Sequence, residues 1–370
     1  MRVTIDATPA LLRSAGVKSY IYYWIRSLRT QARRTDKILA FPFLENFDRL
    51  DHEGSALGWW GTVPRIALVH ALKVFGGPLL DAAIAGSDIF HASNQVRCAP
   101  RRAKLTATLH DLTCWVMPEL HTPANVRADH AFAKQVLQRA AGLIAVSENT
   151  RQDAIRILGI ASEKITTIHS GVAPEYFDAA PAYRSRPYVL YVGTLEPRKN
   201  LETLLDAWLG LRPDLRQEFD LVIAGPRGWI SDATFARVRA ESTYLGYVHE
   251  AQMPGLVAGA TLLAYPSLYE GFGFPVVQAM AAGVAVVTSN NSCLPEIAGD
   301  AALLVDPRSA SEIAAALNRL LESESERTEL ARRGRARAER YRWERCAAES
   351  LEFFHRVISQ DLRRNPRSAD

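Results

Sequence analysis

The sequence predicts an α/β fold built from two Rossmann-like units, each a doubly wound parallel sheet with crossover helices. Three observations support this prediction. Short β-branched runs alternate with longer helical patterns along the chain. The alternation stops at 174–187, a Pro- and Ala-rich segment without periodicity, and then restarts. The length of 370 residues also exceeds what one hydrophobic core usually serves.

The first domain is predicted to cover residues 1–178. Its strands are expected at 2–6, 37–41, 88–91, 104–109, 142–146 and 165–169. Its helices are expected at 17–33, 124–140 and 148–158. The last of these follows Ser147, a residue type that caps exposed N–H groups.

The second domain is predicted to cover residues 186–340, after a linker at 174–187. Its strands are expected at 188–192, 220–224, 244–248, 261–265, 285–288 and 302–305. Its helices are expected at 201–211, 232–240, 250–258, 274–282 and 310–321. Charged helices follow, and a terminal helix at about 345–362 is expected to pack back on the first domain. Because open α/β sheets bind ligands beyond the carboxyl ends of their strands, the two domains are expected to face each other across a cleft.

The bulk composition is that of a soluble globular protein. Hydrophobic residues make up 48% of the chain, and the mean hydropathy is −0.08. Asp6 lies where a signal peptide needs its apolar region, and Arg65 and Lys73 interrupt the apolar stretch at 63–85. The cysteines form no CxxC pair and are typical of reduced cytoplasmic thiols: Cys98, Cys114, Cys293 and Cys346. We therefore expect a cytoplasmic protein.

The net charge of +4 is modest, but the basic residues are unevenly distributed. They crowd two stretches of the first half: Arg13, Lys18, Arg26, Arg29, Arg33, Arg34 and Lys37, then Arg97, Arg101, Arg102 and Lys104. Two interpretations remain open, either solvated helix faces or a basic surface that contacts anionic lipid. No recognition module for nucleic acid is evident, so nucleic acid is not an expected partner.

Residues 270–283 carry the most informative motif. Glu270 supplies a carboxylate, and Gly271 and Gly273 allow a ligand to approach the backbone closely. Pro275 suits the first turn of a helix, whose N-terminus presents N–H groups and a positive dipole end. A carboxylate binds hydroxyls and a helix start binds an anion. A sugar joined to a diphosphate therefore fits this motif.

A second motif follows the first strand of the second domain. Gly193 lies at the predicted bend, and the adjacent cations Arg198 and Lys199 precede a helix. A guanidinium fork beside an ammonium point charge suits a pyrophosphate. Kinase, zinc protease, serine hydrolase and simple dehydrogenase functions lack their usual motifs in this sequence.

Taken together, these motifs resemble the family-4 retaining glycosyltransferases of the GT-B fold, and the resemblance spans nearly the whole chain. The Glu270-Gly-Phe-Gly block with its upstream Arg-Lys pair is the most specific part. Other similar segments of the second half are GTLEPRKNL, IAGPRGW, LGYV, YPSLYEGFGFPVVQAMAAG and LPEIAGDAALLVDP. Those of the first half are AGVKSYIYYWIRSL, His110-Asp111-Leu112 and AVSENTRQD. The resemblance implies that the first domain binds the acceptor and the second binds a nucleotide sugar.

The resemblance also implies roles for single residues of the second domain. Glu270 would bind hydroxyls of the donor sugar, and Arg198 and Lys199 would neutralise the diphosphate as the glycosidic bond breaks. Backbone groups would complete the donor site: the amides of Phe272, Gly273 and Phe274 at the sugar, Gly193 at the strand end, and Val248 at the base.

The resemblance implies roles for two residues of the first domain as well. Gly16 would let the first strand–helix loop approach the phosphates or the acceptor, and His110 would lie near the reacting carbon. Since a lone histidine after an apolar strand is often structural, a structural role for His110 stays open. His91, also at a strand end, is a weaker candidate.

One position departs from the family pattern, because Gln278 replaces a second glutamate eight residues after the first. The family role of that residue is to hold the nucleotide ribose by hydrogen bonds. Glutamine keeps donor and acceptor capacity but loses the charge. We expect weaker or altered nucleotide binding rather than lost catalysis.

The predicted function is therefore retaining transfer of a hexose, in cell-surface polysaccharide synthesis such as that of O-antigen. Mannose from GDP-mannose is the first choice of donor, and UDP-glucose or another hexose nucleotide is the alternative. The acceptor would be a saccharide, free or linked to polyprenyl diphosphate, and the enzyme would contact the inner membrane face peripherally. No metal and no cofactor are expected. A sugar-nucleotide epimerase and a non-catalytic nucleotide-sugar-binding homologue are the alternatives of another class.

Overall fold

The computed structural model describes residues 1–14, 16–45 and 50–364, with side chains up to 359. The chain forms two compact units. The first contains Met1–Gly171 and the returning segment that begins at Trp343, and the second contains Val172–Arg342. The second unit thus begins earlier than the predicted boundary at 178.

The first unit contains a six-stranded parallel sheet in the order β2-β1-β3-β4-β5-β6. Each strand begins within one residue of its predicted position, because short apolar, β-branched runs mark the strands of a parallel sheet. The strands are β1 Arg2–Asp6, β2 Lys37–Phe41, β3 Ile89–Ala92, β4 Lys104–Leu109, β5 Gly142–Ala145 and β6 Ile165–Thr167.

The helices of the first unit before the returning segment are α1 Gly16–Gln31, α2 Trp59–Phe75, α3 Gly77–Ala83, α4 Thr113–Val116, α5 Pro123–Gln135 and α6 Glu148–Leu158. Three of them, α2, α3 and the one-turn α4, were not predicted from the sequence patterns. Apolar residues of α2 lie on its exposed side as well as its buried side, so the sequence lacks the polar face by which a surface helix is usually recognised.

The second unit repeats the plan, with the sheet order β12-β11-β10-β7-β8-β9, all parallel. Its strands are β7 Tyr188–Val192, β8 Asp220–Ala224, β9 Thr243–Gly246, β10 Leu262–Tyr265, β11 Ala285–Ser289 and β12 Leu303–Val305. Its helices are α7 Leu201–Leu209, α8 Pro213–Glu218, α9 Asp232–Glu241, α10 Met253–Ala258, α11 Phe274–Ala281, α12 Leu294–Ala298, α13 Ala310–Glu322 and α14 Glu324–Ala338.

Each sheet has a point at which the strand order reverses direction. In the first unit it lies between β1 and β3, and in the second it lies between β7 and β10. Ligands of open α/β sheets bind beyond the carboxyl ends of the strands at such switch points. The strand order therefore selects the loops after β7 and β10, which carry the two motifs of the second unit.

The segment predicted as a linker packs against the second unit instead. Tyr176 and Phe177 are buried, and the Arg342 guanidinium lies 3.4 Å from the centroid of the Phe177 ring. Farther along, the Ala182 amide donates to the Gly255 carbonyl at 2.8 Å. The linker prediction was wrong because it relied on the Pro and Ala content of the segment and overlooked Tyr176 and Phe177, whose burial is favourable.

The last helix, α15 (Trp343–Arg364), lies in the first unit and packs against α1. Phe353 and Phe354 are buried, and the indole of Trp24 donates to Ser350 Oγ at 3.0 Å. A side chain at Gly142 would place its Cβ 2.8 Å from Val357, so glycine permits this close packing. No helix in the described ranges combines the length and the apolarity needed to cross a membrane.

The basic residues of α1 are not all solvated, although solvated helix faces were one of the two interpretations of the sequence. Lys18 is buried, and its Nζ donates to the Asp51 and Gly54 carbonyls at 2.8 and 2.7 Å. Burial lowers the pKa of Lys18 to about 8. Arg29 is partly buried and donates to the carbonyls of Leu44 and Glu45. These two cations therefore hold loops in place rather than forming an open basic surface.

Candidate functional site

The loops after β7 and β10 meet at the switch point of the second sheet. Asn200 ties them together, since its Nδ2 donates to the carbonyls of Pro266 and Pro307 at 2.9 and 2.6 Å. The Leu268 amide adds a hydrogen bond to the Arg198 carbonyl at 2.9 Å. Asn200 adopts a left-handed backbone with φ of 63°, a conformation that asparagine tolerates better than most residues. The two motifs are thereby fixed side by side.

Glu270, Arg198 and Lys199 converge in this place, as the sequence predicted. Lys199 Nζ lies 2.6 Å from Glu270 Oε1, and Arg198 Nη1 lies 3.0 Å from Glu270 Oε2. Glu270 and Lys199 are buried, and the Arg198 side chain is almost so. Arg198 also donates to the Tyr269 carbonyl at 2.8 Å and to Glu196 at 3.3 Å. We call Glu196, Arg198, Lys199 and Glu270 the ion cluster.

The electrostatics of the ion cluster keep its central carboxyl ionised. Burial by itself would raise the pKa of Glu270, but the charges of Arg198 and Lys199 outweigh it and lower the pKa to about 2. Burial and the neighbouring Arg198 lower the pKa of Lys199, and Glu270 opposes that shift. Two cations and two carboxylates lie in contact, so the formal charges of the cluster balance before any ligand binds.

Sequence reasoning missed two hydroxyl groups that complete the coordination of Glu270. Tyr265 and Ser267 donate to Glu270 Oε1 at 2.8 and 2.7 Å, and Lys199 Nζ donates to the Tyr265 hydroxyl at 2.5 Å. Oε1 thus receives three hydrogen bonds. The signal was present, because both residues lie in the motif YPSLYEG at the end of β10.

Gly193 directly follows β7, at the place where the ends of β7 and β8 come close together. Its backbone has φ of 155°, and its amide donates to the Ala224 carbonyl at 2.9 Å. A Cβ at the facing Gly225 would lie 2.0 Å from the Gly193 carbonyl oxygen. Glycine at position 225 therefore allows the ends of β7 and β8 to approach this closely. A Cβ at Gly193 itself would lie 4.0 Å from the Lys199 Cε.

The start of α11 lies next in the chain after Glu270. Gly273 precedes the helix with φ of 83°, and no side chain caps the helix start. A Cβ at Gly273 would lie 2.7 Å from Leu294 Cδ2, so the position is restricted to glycine by packing as well as by φ. Phe272 is buried, with its ring edge-to-face on Phe274 at 5.2 Å. The backbone of 272–274 is thus held rigidly, as an amide-lined binding segment requires.

Three predicted donor-binding residues lie elsewhere than in the ion cluster. Val248 follows β9 and is partly exposed, and Gln278 lies within α11 with its side chain partly exposed. Gly16 is the exposed first residue of α1 in the first unit. Their roles stay predictions.

His110 follows β4 in the first unit and is partly exposed. Its ring lies edge-on to Tyr20 at 4.9 Å between centroids. Burial lowers the pKa of His110 to about 4 against the opposing charge of Asp111, so the imidazole is neutral at pH 7. Asp111 Oδ1 accepts hydrogen bonds from the amide and hydroxyl of Thr113 at 3.0 and 2.7 Å. A neutral ring can donate a hydrogen bond but carries no positive charge.

His91 is a structural residue of the first unit. It is buried, with Nδ1 3.0 Å from Thr106 Oγ1 and Nε2 2.9 Å from Thr108 Oγ1. Its ring packs against Trp24 and Phe354 at 4.9 and 5.5 Å. Burial, with a smaller effect of His110, lowers the pKa of His91 to about 3. Both ring nitrogens therefore bond to side chains of β4, and the ring itself packs against α1 and α15.

The positive charges at this site come from the side chains of an arginine and a lysine. In the ranges that the structure describes, no three His, Cys, Asp or Glu side chains are grouped as metal ligands. Cys98, Cys114, Cys293 and Cys346, all within the described ranges, form no disulfide. Arg198 and Lys199 are the cations placed at the switch point of the second sheet.

Comparison with known proteins agrees with this arrangement. Residues 15–176 match the family described as Glycosyltransferase Family 4, and residues 172–337 match Glycosyl transferases group 1. The chain is 34% identical to the O-antigen chain mannosyltransferase B of Escherichia coli, over 72% of this chain and 74% of that protein.

Solved structures with a similar fold include the following two. Sucrose-phosphate synthase of Thermosynechococcus elongatus aligns with a TM-score of 0.73 at 19% identity, over 97% of this chain and 100% of that one. The Anabaena protein HepE, solved with UDP-glucose, aligns with a TM-score of 0.68 at 18% identity, over 95% and 99%. At such identities the likeness concerns the fold alone.

Two Rossmann-like units, one of which carries an Arg-Lys-Glu cluster at its switch point, define the GT-B class of glycosyltransferase. Both halves of the chain match models of that class, and a curated relative exceeds 30% identity over most of its length. The chain belongs to the family-4 retaining glycosyltransferases.

Proposed function

We propose that this enzyme transfers mannose from GDP-mannose, with retention of configuration, to a saccharide linked to polyprenyl diphosphate. The product would be a surface polysaccharide of the O-antigen kind. The observation that carries the sugar-nucleotide assignment is the contact of Arg198 and Lys199 with Glu270 at the switch point. The choice of mannose is supported by the similarity to an O-antigen mannosyltransferase.

The ion cluster supplies distinct groups for the two parts of the donor. Among the described residues, Lys199 uses two of its three N–H donors, on Tyr265 and Glu270. The third N–H would bind a diphosphate oxygen, together with the Arg198 guanidinium. Since Oε1 of Glu270 already accepts three hydrogen bonds, Oε2 is the oxygen we assign to a sugar hydroxyl. The amides of 272–274 would bind the other side of the sugar.

The reaction that fits these groups is a front-face displacement. No carboxylate is assigned as a nucleophile, so the departing diphosphate itself accepts the proton of the acceptor hydroxyl. Arg198 and Lys199 stabilise the charge that develops on that diphosphate, which is the main source of rate acceleration. His110, neutral at pH 7, would donate a hydrogen bond to a donor hydroxyl. The proposal requires neither a metal nor a cofactor, because the side-chain cations supply the positive charge.

The proposal also includes a place of action. A polyprenyl-linked acceptor lies in a bilayer, so the enzyme would work at the cytoplasmic face of the membrane as a peripheral protein. UDP-glucose is the second candidate donor, because a structural neighbour was solved with it.

The test is a donor panel assayed by release of nucleoside diphosphate. Purified enzyme is incubated with GDP-mannose, UDP-glucose and other hexose nucleotides, each with and without polyprenyl-diphosphate-linked saccharide. We expect GDP release from GDP-mannose that depends on the acceptor. Conversion of the donor without acceptor would indicate an epimerase instead. Nucleotide binding without turnover in every combination would indicate a binding protein.

A further inference from the structure

Helix α2 exposes a largely apolar row. The relative exposures are 90% for Trp60, 75% for Trp59, 78% for Val74 and 67% for Phe75. The exposed positions on one side of the helix are Trp60, Val63, Pro64, Ala67, His70 and Val74, at helical spacing, and His70 is the polar residue among them. We call this row, with Trp59 and Phe75 at its two ends, the α2 face. Exposed apolar patches of this kind mark interaction surfaces.

The opposite side of α2 is firmly packed, so the α2 face is not a consequence of a detached helix. Val69 and Leu72 belong to the core of the first unit. Arg65 donates from Nε to the Pro42 carbonyl at 2.9 Å and from Nη2 to the Phe43 carbonyl at 3.0 Å. Phe43, held in this way beside α2, is itself more than half exposed. Its ring extends the apolar surface beside the helix.

The charged side chains of helix α2 itself are positive. Residues 54–80 contain no Asp or Glu, but they contain Arg65 and Lys73. Arg65 bonds to backbone carbonyls, so these contacts leave its charge uncompensated by a carboxylate. Lys73 is exposed, and Arg101 lies beside Gly77 at the C-terminal end of the helix. An apolar row with adjacent tryptophans and flanking cations matches the chemistry of an anionic bilayer surface.

A second copy of this chain fits the same surface less well. In a symmetric dimer the α2 face of each copy would meet the α2 face of the other, so the two α2 helices would bring only positive side-chain charges, those of Arg65 and Lys73, toward each other. Like charges brought together in this way oppose association. An anionic lipid surface instead offers headgroup charge to the cations and an apolar boundary to the tryptophans.

The α2 face lies near the edge of the sheet at which acceptor binding is proposed. The Ala56 amide, just before α2, donates to the Ala10 carbonyl at 2.9 Å, in the turn Thr8–Leu11 that follows β1. The N-terminal end of α2 therefore lies at the carboxyl edge of the first sheet, near the switch point between β1 and β3. Docking through Trp59 and Trp60 would hold this edge at the headgroup level.

We propose that the α2 face docks the enzyme on an anionic lipid bilayer, with Trp59 and Trp60 inserted at the interface. This inference rests on the proposed function in one respect, namely the lipid-linked acceptor that docking would bring within reach of the enzyme. The α2 face takes the place of the basic stretch around α1 as the expected membrane contact. Two cations of that stretch, Lys18 and Arg29, instead donate to backbone carbonyls within the first unit.

The experiment is sedimentation of the full chain with vesicles of phosphatidylcholine alone or with phosphatidylglycerol added, without donor. We expect binding to the anionic vesicles that weakens as salt rises. The double variant Trp59→Ser/Trp60→Ser should lose about tenfold or more in apparent partitioning, because two interfacial aromatic anchors are removed. Tyr183→Ser, at a 93% exposed aromatic residue of the second unit, is the matched control and should bind as the wild type does.

Circular dichroism establishes that the double variant is folded, and Val74→Ser/Phe75→Ser at the other end of the helix should reproduce its loss. Equal vesicle binding by wild type and both double variants would overturn the proposal. A wild-type dimer, seen by analytical ultracentrifugation, that is lost in the variants without vesicle binding would also overturn it, in favour of a second copy. Release of GDP from GDP-mannose with the polyprenyl-diphosphate-linked saccharide as acceptor is measured in parallel. Its absence in wild type that still binds vesicles would reject the proposed function and leave the docking surface standing.

Discussion

Lys199 Nζ lies 2.6 Å from Glu270 Oε1, although the two residues are 71 positions apart in the chain. The contact exists because β7 and β10 are neighbours and their loops end at the same edge. It means that the cations of the site are compensated by carboxylates in the absence of ligand. A donor diphosphate is therefore received by oriented N–H groups rather than by an excess of positive charge.

Replacing either cation of the ion cluster should mainly slow the chemical step. We expect Arg198→Ala or Lys199→Ala to lose about 10²–10³ in kcat, about 2.7–4 kcal/mol, as for other preorganised donors to a developing charge. The measurement is steady-state release of nucleoside diphosphate. Arg239→Ala, at an exposed arginine of the same unit, is the control and should behave as wild type. Turnover close to wild type in Arg198→Ala or Lys199→Ala would refute the assigned role of that residue.

Removing the compensating carboxylate at Glu196 should have the opposite effect on nucleotide binding. Glu196 accepts from Arg198 at 3.3 Å, so Glu196→Gln leaves the guanidinium less compensated. We expect the Kd for nucleoside diphosphate, measured by calorimetry, to fall by about tenfold or less, within the range of a charge-assisted hydrogen bond. The gain should shrink at high salt. A weaker affinity would show that Glu196 instead orients Arg198 for binding.

Two neighbouring tyrosines provide a matched test of the hydrogen bonds around Glu270. The Tyr265 hydroxyl contacts both Glu270 and Lys199, whereas within the described residues the buried Tyr191 hydroxyl has no hydrogen-bond partner. Tyr265→Phe should lower the free energy of unfolding by about 1.5–3 kcal/mol, the usual range for hydrogen bonds to charged groups. It should also raise the KM for the donor, because Glu270 is less well oriented.

Tyr191→Phe removes the same atom without breaking a hydrogen bond, so stability should stay the same or rise. Both variants are compared by urea unfolding and by donor kinetics. If the two changes were equally destabilising, the hydroxyl of Tyr265 would have no special role in the cluster.

Substitutions of Gln278 test the consequence of the departure from the family pattern. Gln278→Glu restores a carboxylate that can bind two ribose hydroxyls by charge-assisted hydrogen bonds. We expect the KM for the sugar nucleotide to fall by about tenfold or less, with little change in kcat. Gln278→Ala should raise the KM instead. Equal KM values for all three proteins would place the ribose away from this side chain.

The stability of the first unit should fall as the solution becomes acidic. His91 has a pKa of about 3 in the folded chain, whereas an unperturbed histidine has about 6.5. Between these values the unfolded chain binds a proton that the folded chain does not, so the free energy of unfolding decreases as the pH falls from about 6.5. His110, with a pKa of about 4, acts in the same direction.

The measurement for this prediction is the urea midpoint between pH 7 and pH 5. His91→Gln keeps hydrogen-bonding capacity toward Thr106 and Thr108 but cannot titrate, so its midpoint should depend less on pH than that of wild type. Parallel pH dependences in the two proteins would mean that His91 does not contribute.

Local patterns predicted the strands closely, and they identified Glu270, Arg198 and Lys199 as one site. Strands of a parallel sheet are buried on both faces, so their apolar runs are visible without any tertiary information. Helix α2 escaped prediction because its apolar residues are not confined to one buried face. The segment at 174–187 was misjudged because burial of Tyr176 and Phe177 depends on a surface formed by other parts of the chain.

The alternation of elements, the two-unit plan and the two motifs that carry Arg198, Lys199 and Glu270 could be read from the order of amino acids, since each rests on neighbouring residues. The three-dimensional fold settled the rest. It showed that Tyr265 and Ser267 share the carboxylate of Glu270, that Lys18 is buried, and that α2 presents its tryptophans outward. These properties depend on which distant segments meet, and contact between distant segments is determined by packing rather than by local sequence.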